Sequence, residues 1–329
     1  MSNLIAVILS IIVLVSGGVP GTTGGHVGFP YVTDYNGEAV YTYREASDHN
    51  SADGSLVIVD EAGAEVCRFD RADYGNLDLR GGAMLCSSGT CYMSMVLLDW
   101  TKPSAVFAAQ ARARVYRSTD GMQTWQSLGL PNYGISQLAH GHPFIQNGSL
   151  FVTAYAIDSS NRWLSILWRY DFMWRTWFIR SKFIETGLRY MELAVVPIAD
   201  NEWLAITRTK VDEKPYNGEW LTFWRSANQG LRWTKEPQTL PINAAGIAYH
   251  EGVVYVAGRG CGGSCLYSSS DGGRTFTRET LDVFYYNCNG DGGMADVGVA
   301  GEEGQKRVIA SWYGITPGCT MFIKRAVVE

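Results

Sequence analysis

The stretch SSDGGRTF, Ser269 to Phe276, has a counterpart in STDGMQTW, Ser118 to Trp125, with serine, aspartate, glycine, threonine and a closing aromatic at the same offsets. A third copy, Ser226 to Trp233, keeps the serine, an Asp-like Asn228, a glycine and the closing Trp233. Two eroded copies follow the same plan: Val59 to Val66 keeps the acidic position at Glu61 and Gly63, and Tyr170 to Trp177 keeps the Thr-Trp ending. The physics of such a motif is local. A carboxylate between two strands accepts backbone N–H groups in an Asx-type turn, glycine takes up positive φ, and the aromatic plugs the turn from below. Ser118, Asp120 and Trp125, Ser226, Asn228 and Trp233, and Ser269, Asp271 and Phe276 therefore read as scaffold. An acid repeated in several units cannot always face one central site.

Copies starting at 59, 118, 170, 226 and 269 are spaced by about one four-stranded unit, the signature of a repeat fold. Between them lie strand-like runs, GSLVIVD, AVFAAQARARVYRS, SLFVTAYAI, LSILWRY, WLAITRT, VVYVAGR and RVIASWYG, bounded by turn residues. No long stretch has helical periodicity. The expectation is an all-β chain: a six-bladed β-propeller of four-stranded antiparallel blades forming one domain over 19–329. Five blades carry a box or its remnant, and residues from about Gly293 onward have strands enough for the sixth.

Of 329 residues, 46% are hydrophobic and 18% charged, so the chain can bury a substantial core. The net charge of −5, with basic residues scattered, leaves no footprint for nucleic acid or anionic lipid. Among seven cysteines, Cys86/Cys91 in CSSGTC and Cys261/Cys265 in CGGSC have the spacing of loop-stapling disulfides, which points to an oxidising setting outside the cell. No matching Cys/His pairs complete a zinc site, and His140-Gly-His142 lacks further ligands, so neither metal nor cofactor is expected. The apolar run Leu4 to Val15, within residues 1–18, reads as a signal peptide, an anchor or an outer strand. It contacts a membrane only as an anchor, and it could instead meet partner chains.

The repeated motifs resemble the Asp boxes of the sialidase (BNR-repeat) superfamily, and the resemblance runs over most of the chain after residue 28. In GFPYVTDYNGEAVYTYREASDHNSADGSLVI, Pro30 matches the family's first-blade proline, Arg44 the strand-end arginine and Asp53 the acid/base aspartate, with Asp48 and His49 as neighbours able to replace it. Gly28 stands where the family has its first arginine. MELAVVPIADNEWLAITR resembles the segment with a catalytic glutamate and a carboxylate-binding arginine, here Glu192 and Arg208, and Arg259 matches a third arginine. The tyrosine nucleophile has no match: DGGMADVGV offers Met294, and Tyr285 and Tyr286 align poorly.

The resemblance implies a sialic acid carboxylate held by clustered guanidiniums and a tyrosine phenol that attacks the anomeric carbon, so these two departures bear on activity. The resemblance implies a propeller that recognises a glycan or polysaccharide at a cell or virion surface, with an eroded catalytic centre. One alternative is an active glycoside hydrolase on a non-sialic glycan, using Asp53 or His49 as acid and Glu192 as base. Another is a structural or receptor-binding part of a bacteriophage virion. His140 and His142, before a third-blade strand, are expected to face the cleft as polar, substrate-binding groups.

Overall fold

The computed structural model describes residues 26–102, 109–211, 218–260, 262–283, 295–302, 304–315 and 321–328. Residues 1–18, Cys261, Tyr285, Tyr286 and Met294 lie outside the described residues. The strand-like runs become strands wherever they are described, and the one helical element among them is a 3-10 turn at Arg71–Tyr74.

The first sheet is an antiparallel meander of β1 (His26–Tyr35), β2 (Glu38–Ala46), β3 (Ser55–Val59) and β4 (Glu65–Phe69). The second repeats it with β5 (Asp78–Ser87), β6 (Thr90–Asp99), β7 (Gln110–Ser118) and β8 (Gln126–Ser127). In the third, the first strand is broken into β9 (Ser136–Ala139) and β10 (Phe144–Gln146), both paired with β11 (Ser149–Ile157), before β12 (Trp163–Asp171) and β13 (Thr176–Phe183). The fourth holds β14 (Leu188–Pro197), β15 (Trp203–Val211), β16 (Glu219–Ser226) and β17 (Thr234–Leu240). The fifth is seven-stranded. Its meander β18 (Asn243–His250), β19 (Val253–Arg259), β20 (Gly263–Ser269) and β21 (Thr277–Val283) meets a second meander, β22 (Ala295–Ala300), β23 (Arg307–Ile315) and β24 (Met321–Val328). A single parallel pair, Ala245 with Ala295, joins the two.

Successive sheets share apolar cores. Leu56 and Met93 belong to one between the first and second sheets, Leu150 and Val115 to another between the second and third, and Phe223 and Val256 to one between the fourth and fifth. Val32 and Tyr41 pack with Ala300 and Ile309, so the last strands close back onto the first sheet. The result is a propeller-like ring, and each buried Leu, Ile or Val side chain in these seams contributes about 1.5–3 kcal/mol.

The three intact boxes link the third strand of a sheet to its fourth. The Ser118, Ser226 and Ser269 hydroxyls donate to Asp120, Asn228 and Asp271, and accept from the backbone of Met122, Gly230 and Gly273. Asp271 further accepts from Arg274 N and from both Thr275 N and its hydroxyl. The closing aromatics do more than plug their own turn. Trp125 packs on Phe69, Trp233 on Phe183 and Phe276 on Phe223, each a ring of the preceding sheet. In the eroded first copy the turn is capped by Asp60, which accepts from Ala64 N, while Glu61 pairs with Arg307.

Candidate functional site

The innermost strands share one irregularity. β1 slips register between Gly28 and Tyr31, β5 between Gly81 and Ala83, β14 between Met191 and Ala194, and β18 between Asn243 and Gly246. In the third sheet the corresponding gap is the break containing His140-Gly141-His142. Bulges re-aim side chains and gather near active sites. Phe29, Glu192 and Ala244, none of them glycine, adopt positive φ of 55°, 51° and 47° at these points. Each such backbone costs about 1–3 kcal/mol and persists only where its surroundings enforce it.

The three predicted arginines share one register position. Arg44 stands opposite Gly28, Arg208 opposite Met191 and Arg259 opposite Asn243, each on a second strand facing the residue just before the bulge. In antiparallel meanders the start of the first strand and the end of the second lie at one end of the sheet. The boxes, at the end of the third strand, lie at the other. Arginines and boxes therefore occupy opposite faces.

Glu192 is the best-held group of the cluster. Its Oε1 accepts from Arg208 Nη1 at 2.7 Å and its Oε2 from Ala244 N at 3.0 Å, so one bulge caps the side chain of another. Burial pushes the Glu192 carboxyl up, but Arg208, His140 and Arg259 outweigh it and hold it below the usual range. It is an ionised acceptor. Arg208 also grips Glu219 through Nε and Nη2, Asn243 donates to the same Glu219 oxygen, and Arg259 Nε donates to Asn243.

Arg44 is 0% exposed. Its guanidinium meets Asp78 at 2.9 Å and the carbonyls of Asp48 and Ser51, so it anchors the loop after β2. Gly54 is required there, because a Cβ would lie 2.3 Å from Arg44 Nε. Asp53 accepts from Ser47 N through both oxygens. Burial raises the Asp53 carboxyl, yet these and a Ser51 bond prevail and hold it at about 2. In this geometry it has no proton to give at neutral pH. The His49 ring packs on His26 and Phe29, and its carbonyl accepts from Arg80, whose guanidinium lies over Phe29 and Trp100.

His142 bridges the centre. Its Nδ1 faces Met84 O at 2.9 Å and its Nε2 faces Asp296 Oδ2 at 2.7 Å. An acceptor at each ring nitrogen is an arrangement that suits the doubly protonated imidazolium. Burial lowers the His142 pKa, but Asp296 outweighs it and the net shift is upward. Asp296 also accepts from Val32 N, and Gly246 makes room for it, since a Cβ would lie 2.1 Å from Oδ1. Tyr31 packs edge-on against His142. Burial, then Asp296 and Glu192, push its phenol well above the usual range. His140 is buried beside them, lowered chiefly by desolvation, and neither ring nitrogen has a well-formed hydrogen bond.

Glu192, Arg208, Arg259, His140 and His142 thus fall in one connected neighbourhood, while Arg44, Asp53 and His49 form a second with Asp78 and Arg80. No hydrogen bond joins Asp53 to Glu192 among the described residues. Sequence reasoning missed Asp78, Arg80, Glu219, Asn243 and Asp296. Only Glu219 carried a local signal, as a lone acid opposite Lys210 and one strand beyond Arg208. Cys86 and Cys91 form a disulfide across the β5–β6 hairpin. Cys265 is disulfide-bonded, with its expected partner Cys261 outside the described residues, and Cys67 is a free thiol. Among the described residues, no three His, Cys, Asp or Glu side chains are placed to hold a metal.

No protein-family model matches the chain, and no curated protein does. Solved structures do. A protein of unknown function from Dyadobacter fermentans superposes with a TM-score of 0.75 at 18% identity, over 93% of this chain and 95% of that one. An α-L-arabinanase from Penicillium chrysogenum, complexed with arabinobiose, gives 0.65 at 13% identity over 97% of each chain. The Trypanosoma rangeli sialidase, in complex with the inhibitor DANA, gives 0.65 at 11% identity over 92% of this chain and 55% of its own. The chain therefore shares the propeller fold of sialidases and arabinanases.

Proposed function

We propose that this chain is a six-bladed propeller that recognises carbohydrate outside the cell through a cleft centred on Glu192. The reading of six takes the two meanders of the seven-stranded sheet as separate blades, the last with three described strands. The carrying observation is Glu192 itself: a charged side chain in a strained backbone, fixed from two sides, with Arg208 and Arg259 around it and its charge felt by the Tyr31 phenol and by that of Tyr155 on β11. Such a set offers acceptors and donors for hydroxyl groups. The disulfide supports an extracellular setting.

Binding is favoured over turnover because Asp53, the acid the resemblance implies, is ionised and serves its own loop. A second reading, hydrolysis of a non-sialic glycan, is favoured by the strain stored at Glu192, since such strain gathers at catalytic groups. Probing immobilised glycans with wild type and Glu192→Gln tests the first reading. A wild type that retains no glycan, or a variant that retains them equally, would remove it. Release of aryl leaving groups from arabinosides and other glycosides, lost in Glu192→Gln, would establish the second instead.

A further inference from the structure

The turn between β12 and β13 inverts the surface of its sister turns. In the box at Ser118 the apolar residue Met122 is 1% exposed, and polar groups face the solvent. In the eroded copy of the third sheet, Asp171 still caps the turn by accepting from Met173 N and Trp174 N. Here, however, Met173 is 84% exposed and Trp174 73%. Phe178 and Ile179 extend the apolar surface along the outermost strand of that sheet. Solvated apolar side chains gathered in one short segment mark a contact surface.

The segment is also basic. Residues 175–182, RTWFIRSK, hold Arg175, Arg180 and Lys182 and no acid, in a chain of net charge −5. The acids that flank it in sequence are engaged: Asp171 with Arg169 and Glu185 with Lys235. Arg180 donates to the Gln229 and Asn228 carbonyls and Lys182 to the Tyr133 hydroxyl, all neutral acceptors, so the segment keeps its positive charge, with Arg175 beside the apolar turn. Two copies meeting edge to edge would oppose like charges, which is how natural edge strands avoid pairing.

We propose that this edge docks on an anionic lipid surface, Met173 and Trp174 entering the interface and Arg175, next to them in the turn, meeting the headgroups. A protruding, non-planar Met173 suits acyl chains better than the flat platform a sugar stacks upon, and tryptophan favours the interfacial zone. The turn lies at the box end of its sheet, so a docked molecule holds the Glu192 cleft away from the lipid. The contact is independent of any carbohydrate chemistry in that cleft.

Flotation of the full chain with vesicles of phosphatidylcholine containing phosphatidylserine tests this. Wild type is expected to float with them, and less so as salt rises. Arg175→Glu should weaken partitioning by about fivefold, the worth of a single arginine near an anionic surface. Met173→Ser/Trp174→Ser should abolish quenching of the chain's fluorescence by brominated lipid. These side chains are solvated, so the variants should melt as wild type does. Equal flotation of all three proteins would overturn the proposal. So would retention on an acidic polysaccharide, such as polygalacturonate, without flotation.

Discussion

Glu192 pays twice for its position, once in backbone strain and once in desolvation, and one neighbour in its own hairpin and one in the next sheet offset both costs. Arg208 comes from the next strand, whereas Ala244 N comes from the next sheet. Glu192→Gln keeps the shape and the Ala244 bond but removes the charge facing Arg208. Glycan retention is expected to fall at least about tenfold, the equivalent of roughly 1.4 kcal/mol, as read by isothermal titration. The sequence pattern singled out Glu192 and Arg208 because they sit in one hairpin. Asp296 stayed invisible, because nothing local distinguishes a buried aspartate in ADVGV until Val32 and His142 meet it. Gly246→Ala probes that site: its Cβ cannot coexist with the Asp296 carboxylate as placed. The expected outcome is a lower melting temperature, since a displaced, half-paired buried carboxylate is costly.

At the level of the element, the boxes were legible because the hydrogen bonds of their serine and their Asp or Asn side chain span four residues or fewer. Their outward reach was not, since it depends on which ring of the preceding sheet lies beneath. That reach makes Trp233 a staple: its ring meets Phe183, and its indole N–H donates to Ser181, both on β13. Trp233→Ala should destabilise the fold by about 3 kcal/mol in urea unfolding. Asp271→Ala should lower the melting temperature more than replacement of the exposed Asp200, which caps no comparable turn. Equal effects would mean that the box carboxylate is ornamental. The bulges escaped sequence reading for another reason. A register slip is a relation between two strands, and Glu192 or Ala244 at positive φ has no compositional mark.

Over the whole molecule, His142 is the point where the ring is tied: its partners Met84 and Asp296 come from the second and fifth sheets, and Tyr31 from the first. The order of strands and the repeat were readable, but closure depends on contacts over more than a hundred residues. Closure through an imidazolium predicts a pH signature with a definite sign. The folded His142 pKa is raised, so its stabilisation is full below the unfolded value near 6.5 and is lost as pH rises through the folded value. His26 and His140 act in the opposite sense. Burial, with His49 and Arg44, lowers His26 to about 4, and burial lowers His140, so both destabilise the fold as pH falls below about 6.5. Above neutrality these two are uncharged in both states and contribute no slope. Between neutral and mildly alkaline pH the Cys67 thiol, pushed up by burial, also favours unfolding as pH rises, so the His142 contribution is read as the difference in urea stability between wild type and His142→Gln. Wild type should lose more stability across that range than His142→Gln, which still reaches Asp296 with an amide but cannot titrate. Parallel profiles for the two proteins would show that the ring closes without that charge.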